Sequence, residues 1–247
     1  LSNNTTSIGA AAFQDCHSLI AFNIENENSN LCEIGSHAFS DTSISSFNIP
    51  SKVKIIKLFT FSGCEKLENV NISSNSSLEQ IQKYSFVDNL SLKCINIPSS
   101  IKKLSYKAFI NTPSLESIIN ESNSNLCLLE DKSVYASDKS LVFVPRNLTN
   151  YAISPNCLII HSSAFCGPNL KSVSFSDNSL TTIENCAFAH STGLKSITIP
   201  KNVQSIGNEA FIDCRNLESV EFELGSQLKK INKFCFAFSG LKTVVLP

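Results

Sequence analysis

Residues 199–214 read IPKNVQSIGNEAFIDC, and residues 97–112 read IPSSIKKLSYKAFINT. Each begins Ile-Pro. Each then places an apolar residue three positions after the proline, another three after that, and closes on Ala-Phe or its neighbourhood. A phrase repeated at such a distance points to a repeat array rather than to one globular design. Working outward, the phenylalanine recurs at Phe13, Phe39, Phe61, Phe86, Phe109, Phe165, Phe188, Phe211 and Phe236. An Ile or Leu precedes each by five residues, as in Ile34, Ile56, Ile183 and Ile206. A Leu or Ile follows, and then an alternating apolar pair such as Val70/Ile72, Ile197/Ile199 or Val220/Phe222. The unit is I-x-x-x-A-F-x-x-C-x-x-L-x-x-I-x-I.

The interval from Phe109 to Phe165 is too long for one unit. A tenth copy is expected there, with Leu148, Tyr151, Ile153 and Ile160 on the repeat columns and Val134 in place of the anchor phenylalanine. Within it, SVYASDKSLVFVP reads as two β-rich runs around a polar turn, a β-hairpin inserted over residues 133–145. Long and short units alternate, and the short ones carry Pro50, Pro98, Pro155 or Pro200 after the apolar pair. Pro247 then announces a further short unit, so residues 1–247 are expected to be one solenoid domain cut from a longer array.

The alternating, β-branched L-x-x-I-x-I piece predicts a short strand, one per unit, stacked in parallel. The Ala-Phe piece closes the other side, as a turn or short helix. The expected class is an α/β solenoid: a leucine-rich-repeat horseshoe of about ten repeats with parallel strands on its concave face. A parallel β-helix is the competing geometry; the single clear strand per unit favours the horseshoe.

At this point the pattern resembles the BspA-like, or Treponema pallidum-type, leucine-rich repeats of bacterial and protist surface proteins. Ile199–Phe222 and Ile49–Ile72 carry it best, and the hairpin segment resembles an interruption found in that family. The resemblance covers nearly the whole chain, but its motif is structural and names no ligand. It implies a non-enzymatic protein-interaction module at the cell surface or secreted, adhering to a host, matrix or cell-surface protein. The alternative is an intracellular scaffold built on the same solenoid.

Composition bounds these readings. Of 247 residues, 42% are hydrophobic, enough for a continuous core, and only 17% are charged. The net charge of −1 leaves no case for nucleic acid, which needs clustered cations. Residues 1–50 contain Asp15, Glu25, Glu27, Glu33 and Asp41 but no Lys or Arg, a weak field along a long molecule. No apolar run is long enough to span a bilayer. No H-E-x-x-H, G-x-S-x-G, P-loop or G-x-G-x-x-G occurs. His17, His37, His161 and His190 share no ligand spacing, so no enzyme, cofactor or metal is expected.

Ten cysteines raise the question of disulfides. Cys16, Cys64 and Cys214 occupy one repeat column, where other units have Thr42, Asn89, Thr112 or Ser191. That exchange predicts mostly free thiols, with Cys166 paired to Cys157 or Cys186 left open. The outward strand positions are the first candidate surface: Asn23, Asn48, Asn71, Asn96, Ser174, Thr198 and Glu221. These same residues would equally serve to solvate the strands or to form side-chain ladders. The hairpin is the second candidate, through Tyr135, Phe143 and Arg146, although its apolar residues would also seal the core. Asn-x-Ser/Thr sequons at Asn3, Asn4, Asn71, Asn75, Asn89, Asn120 and Asn147 permit glycosylation without showing it.

Overall fold

Alternation builds the longer strands. In Ser46–Ile49 the side chains of Phe47 and Ile49 are buried while Ser46 and Asn48 face solvent, and Asn69–Ile72 repeats the pattern. A period of two puts one apolar set inside and the polar set outside. The computed structural model describes residues 4–24, 29–120, 126–128, 133–167, 169–176 and 179–247. Asn3, Glu25 and Glu27 lie outside these, as do the side chains of Ile119, Asn120 and Cys127. The chain divides into two compact units, residues 1–128 and 129–247.

In the first unit the strands Ser46–Ile49, Asn69–Ile72, Cys94–Ile97 and Ser117–Asn120 pair in sequence order, all parallel. Phe47, Val70, Ile95 and Ile118 lie in register and point inward. The second unit repeats this with Asn150–Ile153 beside Ser172–Phe175, and with Ser196–Ile199, Ser219–Phe222 and Thr243–Val244. Each turn also carries a second strand of only two residues. Ile55–Ile56, Gln80–Ile81 and Lys103–Leu104 form one such ladder, and Ile159–Ile160, Thr182–Ile183, Ser205–Ile206 and Lys230–Ile231 form another. Two residues cannot display alternation, so this element was invisible as a strand in the sequence.

The Ala-Phe segments are turns. Among the described residues the only helical element is the four-residue 3-10 turn Tyr106–Phe109, so the α part of the expected class is minor. These turns form a third ladder. Phe39 N–H donates to the Thr60 carbonyl at 2.9 Å, Phe61 N–H to Ser85 at 2.9 Å, and Phe188 N–H to Ala210 at 2.8 Å. Residues two before and two after the anchor adopt positive φ, for example His37 and Asp41 at 58°, to present alternate amides to the next turn. Asp15, Asp41, Asp88, Asn111 and Asp213 take the later position, residue types that tolerate the left-handed region.

The phenylalanines stack along each unit. Phe39, Phe61, Phe86 and Phe109 follow one another at centroid separations of 5.6, 5.5 and 5.7 Å. Phe165, Phe188 and Phe211 do so at 4.6 and 4.9 Å, with planes 4° apart. Burial of each ring is worth about 2–3 kcal/mol, and the stack makes that gain common to neighbouring turns.

The cysteine column is a column of hydrogen-bond donors. Six of its residues reach the carbonyl of an anchor phenylalanine, Thr42 and Thr112 in their own turn and Cys64, Asn89, Ser191 and Cys214 in the preceding one. Cys64 Sγ donates to Phe39 O at 3.0 Å, Asn89 Nδ2 to Phe61 O at 2.8 Å, Ser191 Oγ to Phe165 O at 3.0 Å and Cys214 Sγ to Phe188 O at 3.1 Å. All four are fully buried. Burial pushes the Cys64 thiol up to about 11 and the Cys214 thiol up to about 12, keeping the S–H that donates. At these buried positions a small side chain that also donates fits the space and the carbonyl together. Among the described cysteines each sulfur is unbridged. Ser191→Ala should cost about 1–2 kcal/mol by leaving the Phe165 carbonyl short of a donor. Ser191→Cys should restore most of it, as read from urea unfolding midpoints; equal midpoints for the two variants would refute the donor role. Burial of Asn89 also closes its sequon in the folded chain.

The hairpin is built into the fold. Val134–Ala136 pairs antiparallel with Ser140–Phe143. The second of these strands then pairs in parallel with Ile159–Ile160, with Leu141 opposite Ile160. It thus opens the short-strand ladder of the second unit. Val134 does not take the anchor position as expected: it pairs with Phe143, and Val144 N–H makes the turn bond, donating to Ala164 O at 3.0 Å. The antiparallel excursion shifted the register that was read from spacing alone.

Candidate interaction surface

The outward strand positions lie side by side within each unit, with one exception. In the first unit Asn48 and Asn71 lie in register and exposed, and Asn96 follows half-buried on the next strand. In the second, Thr198 and Glu221 are adjacent and exposed, and exposed Ser174 pairs in register with Ala152. Asn23 is exposed but sits in an irregular segment, so it does not join the sheet. Asn71 Nδ2 donates to Asn48 Oδ1 at 2.7 Å, and Ser172 Oγ donates to Asn150 Oδ1 at 2.7 Å. Such cross-turn links hold polar side chains in fixed positions, lowering the entropy lost when a partner docks.

Apart from Glu221, charge enters where the chain turns into a strand, a feature the repeat columns did not single out. Lys93 Nζ meets Glu68 Oε2 at 2.7 Å, and Lys242 Nζ meets Glu218 Oε2 at 2.9 Å. The Glu68 carboxylate raises the Lys93 pKa, first by its hydrogen bond and then by its charge, while Lys242 lowers that of Glu218 in the same way. Glu68, Lys93 and Glu116 alternate in sign, as do Lys195, Glu218 and Lys242. The position just before each strand was the signal available. Apart from Glu221 in the second unit, the strand face is polar and uncharged, bounded by a rim on which Lys93 pairs with Glu68 and Lys242 with Glu218.

The hairpin candidates are corrected by burial. Tyr135, Phe143 and Arg146 are 8%, 2% and 4% exposed, too little to meet a partner. The Tyr135 hydroxyl accepts from Ser154 N–H at 3.2 Å. Arg146 donates to Ser163 O at 2.6 Å and to Ala164 O at 2.7 Å, and its guanidinium lies 5.1 Å from the Phe143 ring centre. These polar groups close the core where an anchor phenylalanine is missing. Among the described residues no three His, Cys, Asp or Glu side chains converge as a metal site would need, and no helix is long and apolar enough to cross a membrane.

No curated protein matches the chain. Solved structures do. The pneumococcal vaccine antigen PcpA superposes with a TM-score of 0.67 at 21% identity, over 88% of this chain and 62% of that one. A leucine-rich cell surface protein from Faecalibacterium prausnitzii gives 0.66 at 21% identity, over 94% of this chain and 77% of that one. A leucine-rich repeat protein from Eubacterium ventriosum gives 0.70 at 24%, over 98% and 63%. These likenesses establish the fold, and the chain spans less than two thirds of PcpA's length. The model of the BspA type leucine rich repeat region matches residues 1–119 and 139–247. With ladders, phenylalanine stack and donor column all repeating as that match requires, the chain belongs to the BspA-type leucine-rich repeat family.

Proposed function

We propose that the chain is a non-enzymatic protein-interaction module that holds a partner on its polar strand face. The observation that carries this reading is the Asn48–Asn71 pair within a rigid parallel sheet: amides exposed to solvent yet fixed by a 2.7 Å bond. In the first unit the face offers hydrogen bonds without charge, which suits a protein partner better than a polyanion. Resemblance to proteins described as a cell surface protein and a vaccine antigen supports display at the cell surface or secretion. Adhesion to a host, matrix or cell-surface protein is the role that fits such display. Contacts on such a face are weak singly and gain strength when many copies are displayed.

The test is binding of the purified chain to immobilised fibronectin, to fibrinogen and to intact epithelial cells at physiological salt. A variant with Asn48, Asn71 and Thr198 changed to Lys is the control. The expected result is saturable binding that the control loses at least tenfold. Folded protein that binds none of the three, or a control that binds equally well, would sink the strand-face reading.

A further inference from the structure

The turn face of the first unit carries a second surface of different chemistry. At the left-handed position two before the anchor, three successive turns place His37, Phe59 and Tyr84, with φ of 58°, 56° and 62°. Bulky side chains are costly there; other turns fill the same place with Ala11, Ser163, Cys186, Glu209 or Phe234, and three aromatic rings in succession occur only here among the described residues. The three rings are half-exposed. They stack on one another, His37 on Phe59 at 4.8 Å and Phe59 on Tyr84 at 5.1 Å. Both faces of Phe59 and one face each of His37 and Tyr84 are thus covered, and the ring edges form a ridge along the array.

Beside the ridge runs a groove of about 500 Å³ lined by Leu58, Gln80, Gln82, Lys83, Lys103 and Ser105 together with the short-strand residues Ile81 and Leu104. No carboxylate lines it. Two neighbouring lysines are matched, Lys57 by Glu33 and Lys102 by Glu79. Lys83 and Lys103 are exposed and have no ion-pair partner among the described residues. Lys83 Nζ stands 5.8 Å from the Tyr84 ring centre, joining groove to ridge. Gln82 Oε1 accepts from Leu58 N–H at 3.0 Å, which turns its amide nitrogen toward donation. The groove therefore offers donors and positive charge, and its ligand must bring acceptors and negative charge.

We propose that this groove and ridge bind a linear acidic polysaccharide, one bearing carboxylate or sulfate groups. The charged groups meet Lys83 and Lys103, and the sugar C–H surfaces lie along the ring edges, rung by rung at the strand spacing of the array. A single-stranded nucleic acid is disfavoured because it needs open ring faces for base stacking, and here stacking within the ridge covers both faces of Phe59 and one face each of His37 and Tyr84. A protein interface is centred on a desolvated core depleted of charge, whereas two exposed lysines line this groove. This surface lies outside the strand face and stands or falls independently of the protein-binding reading.

The experiment is fluorescence anisotropy of the whole chain with labelled heparin octasaccharide and, separately, with an oligogalacturonate that has carboxylates alone. Saturable binding of either supports the proposal, and their ratio identifies sulfate or carboxylate as the preferred group. K83Q/K103Q should weaken binding at least tenfold and make its salt dependence shallower. F59S/Y84S should weaken it at least fivefold with the salt dependence kept, and circular dichroism and urea midpoints establish that both variants fold. K195Q, a lysine in the second unit, should change nothing. Absence of saturable binding to both sugars would overturn the proposal. So would polyphosphate or an oligonucleotide binding as tightly as the better sugar, or F59S/Y84S binding like the parent, since each would reduce the groove to unspecific attraction of anions.

Discussion

Phe188→Ala should destabilise the second unit by about 3–5 kcal/mol. The ring is fully buried between Phe165 and Phe211, at 4.6 and 4.9 Å. Neighbouring turns cannot collapse into the void, because their separation is set by three ladders of backbone hydrogen bonds. The Phe188 carbonyl, which holds Cys214 Sγ at 3.1 Å, would lose its fixed position as well. Phe236→Ala offers the comparison: that ring is only partly buried and its removal should cost clearly less. Urea unfolding of the two variants decides the matter. Equal losses, or a loss below about 1 kcal/mol for Phe188→Ala, would mean that the stack contributes little.

Arg146→Ala should cost about 2–4 kcal/mol. It removes two charge-assisted hydrogen bonds to buried carbonyls, worth about 1.5–3 kcal/mol each, and relief of the buried cation's desolvation offsets part of this. Arg146→Lys should recover little, since one ammonium does not reproduce a planar fork on the Ser163 and Ala164 carbonyls. Burial drives the Arg146 pKa down from its ordinary 12.5 to about 10. For a base whose folded pKa is depressed, the cost of keeping it charged is full at lower pH and relieved only as pH rises through about 10. Arg146 therefore adds no pH dependence to stability between pH 5 and 8. Unfolding midpoints of Arg146→Ala should fall below those of the parent by the same amount across that range; a gap that widens or closes within it would contradict this account.

The phenylalanine, Ile and strand columns were legible because each is a periodic apolar signal repeated many times. The outward Asn and Ser positions followed from them by the period of two. What escaped has physical reasons. The two-residue strands are too short to alternate. Cys64, Asn89 and Ser191 looked alike only in size, because a donor to a backbone carbonyl leaves no mark on hydropathy. Tyr135, Phe143 and Arg146 stood out as a mixed cluster, the usual appearance of a binding patch, but a hairpin that replaces an anchor must bury such groups and satisfy them internally. The basic groove was hidden because Lys83 and Lys103 lie in different repeats, and only stacking turns brings them together.

The turn-by-turn register of ladder and stack has a genetic consequence. Ile183 and Ile206 occupy the same rung, and Phe188 and Phe211 the same stack. Excising residues 184–206 would join two ends already in register, so recombination between repeats can shorten or lengthen the protein while every junction stays native in its bonding. A single inserted residue within a strand would instead turn that strand's apolar set outward. Selection should thus tolerate change by whole turns and resist change by single residues, leaving reach and ligand valency free to vary while the core stays constant.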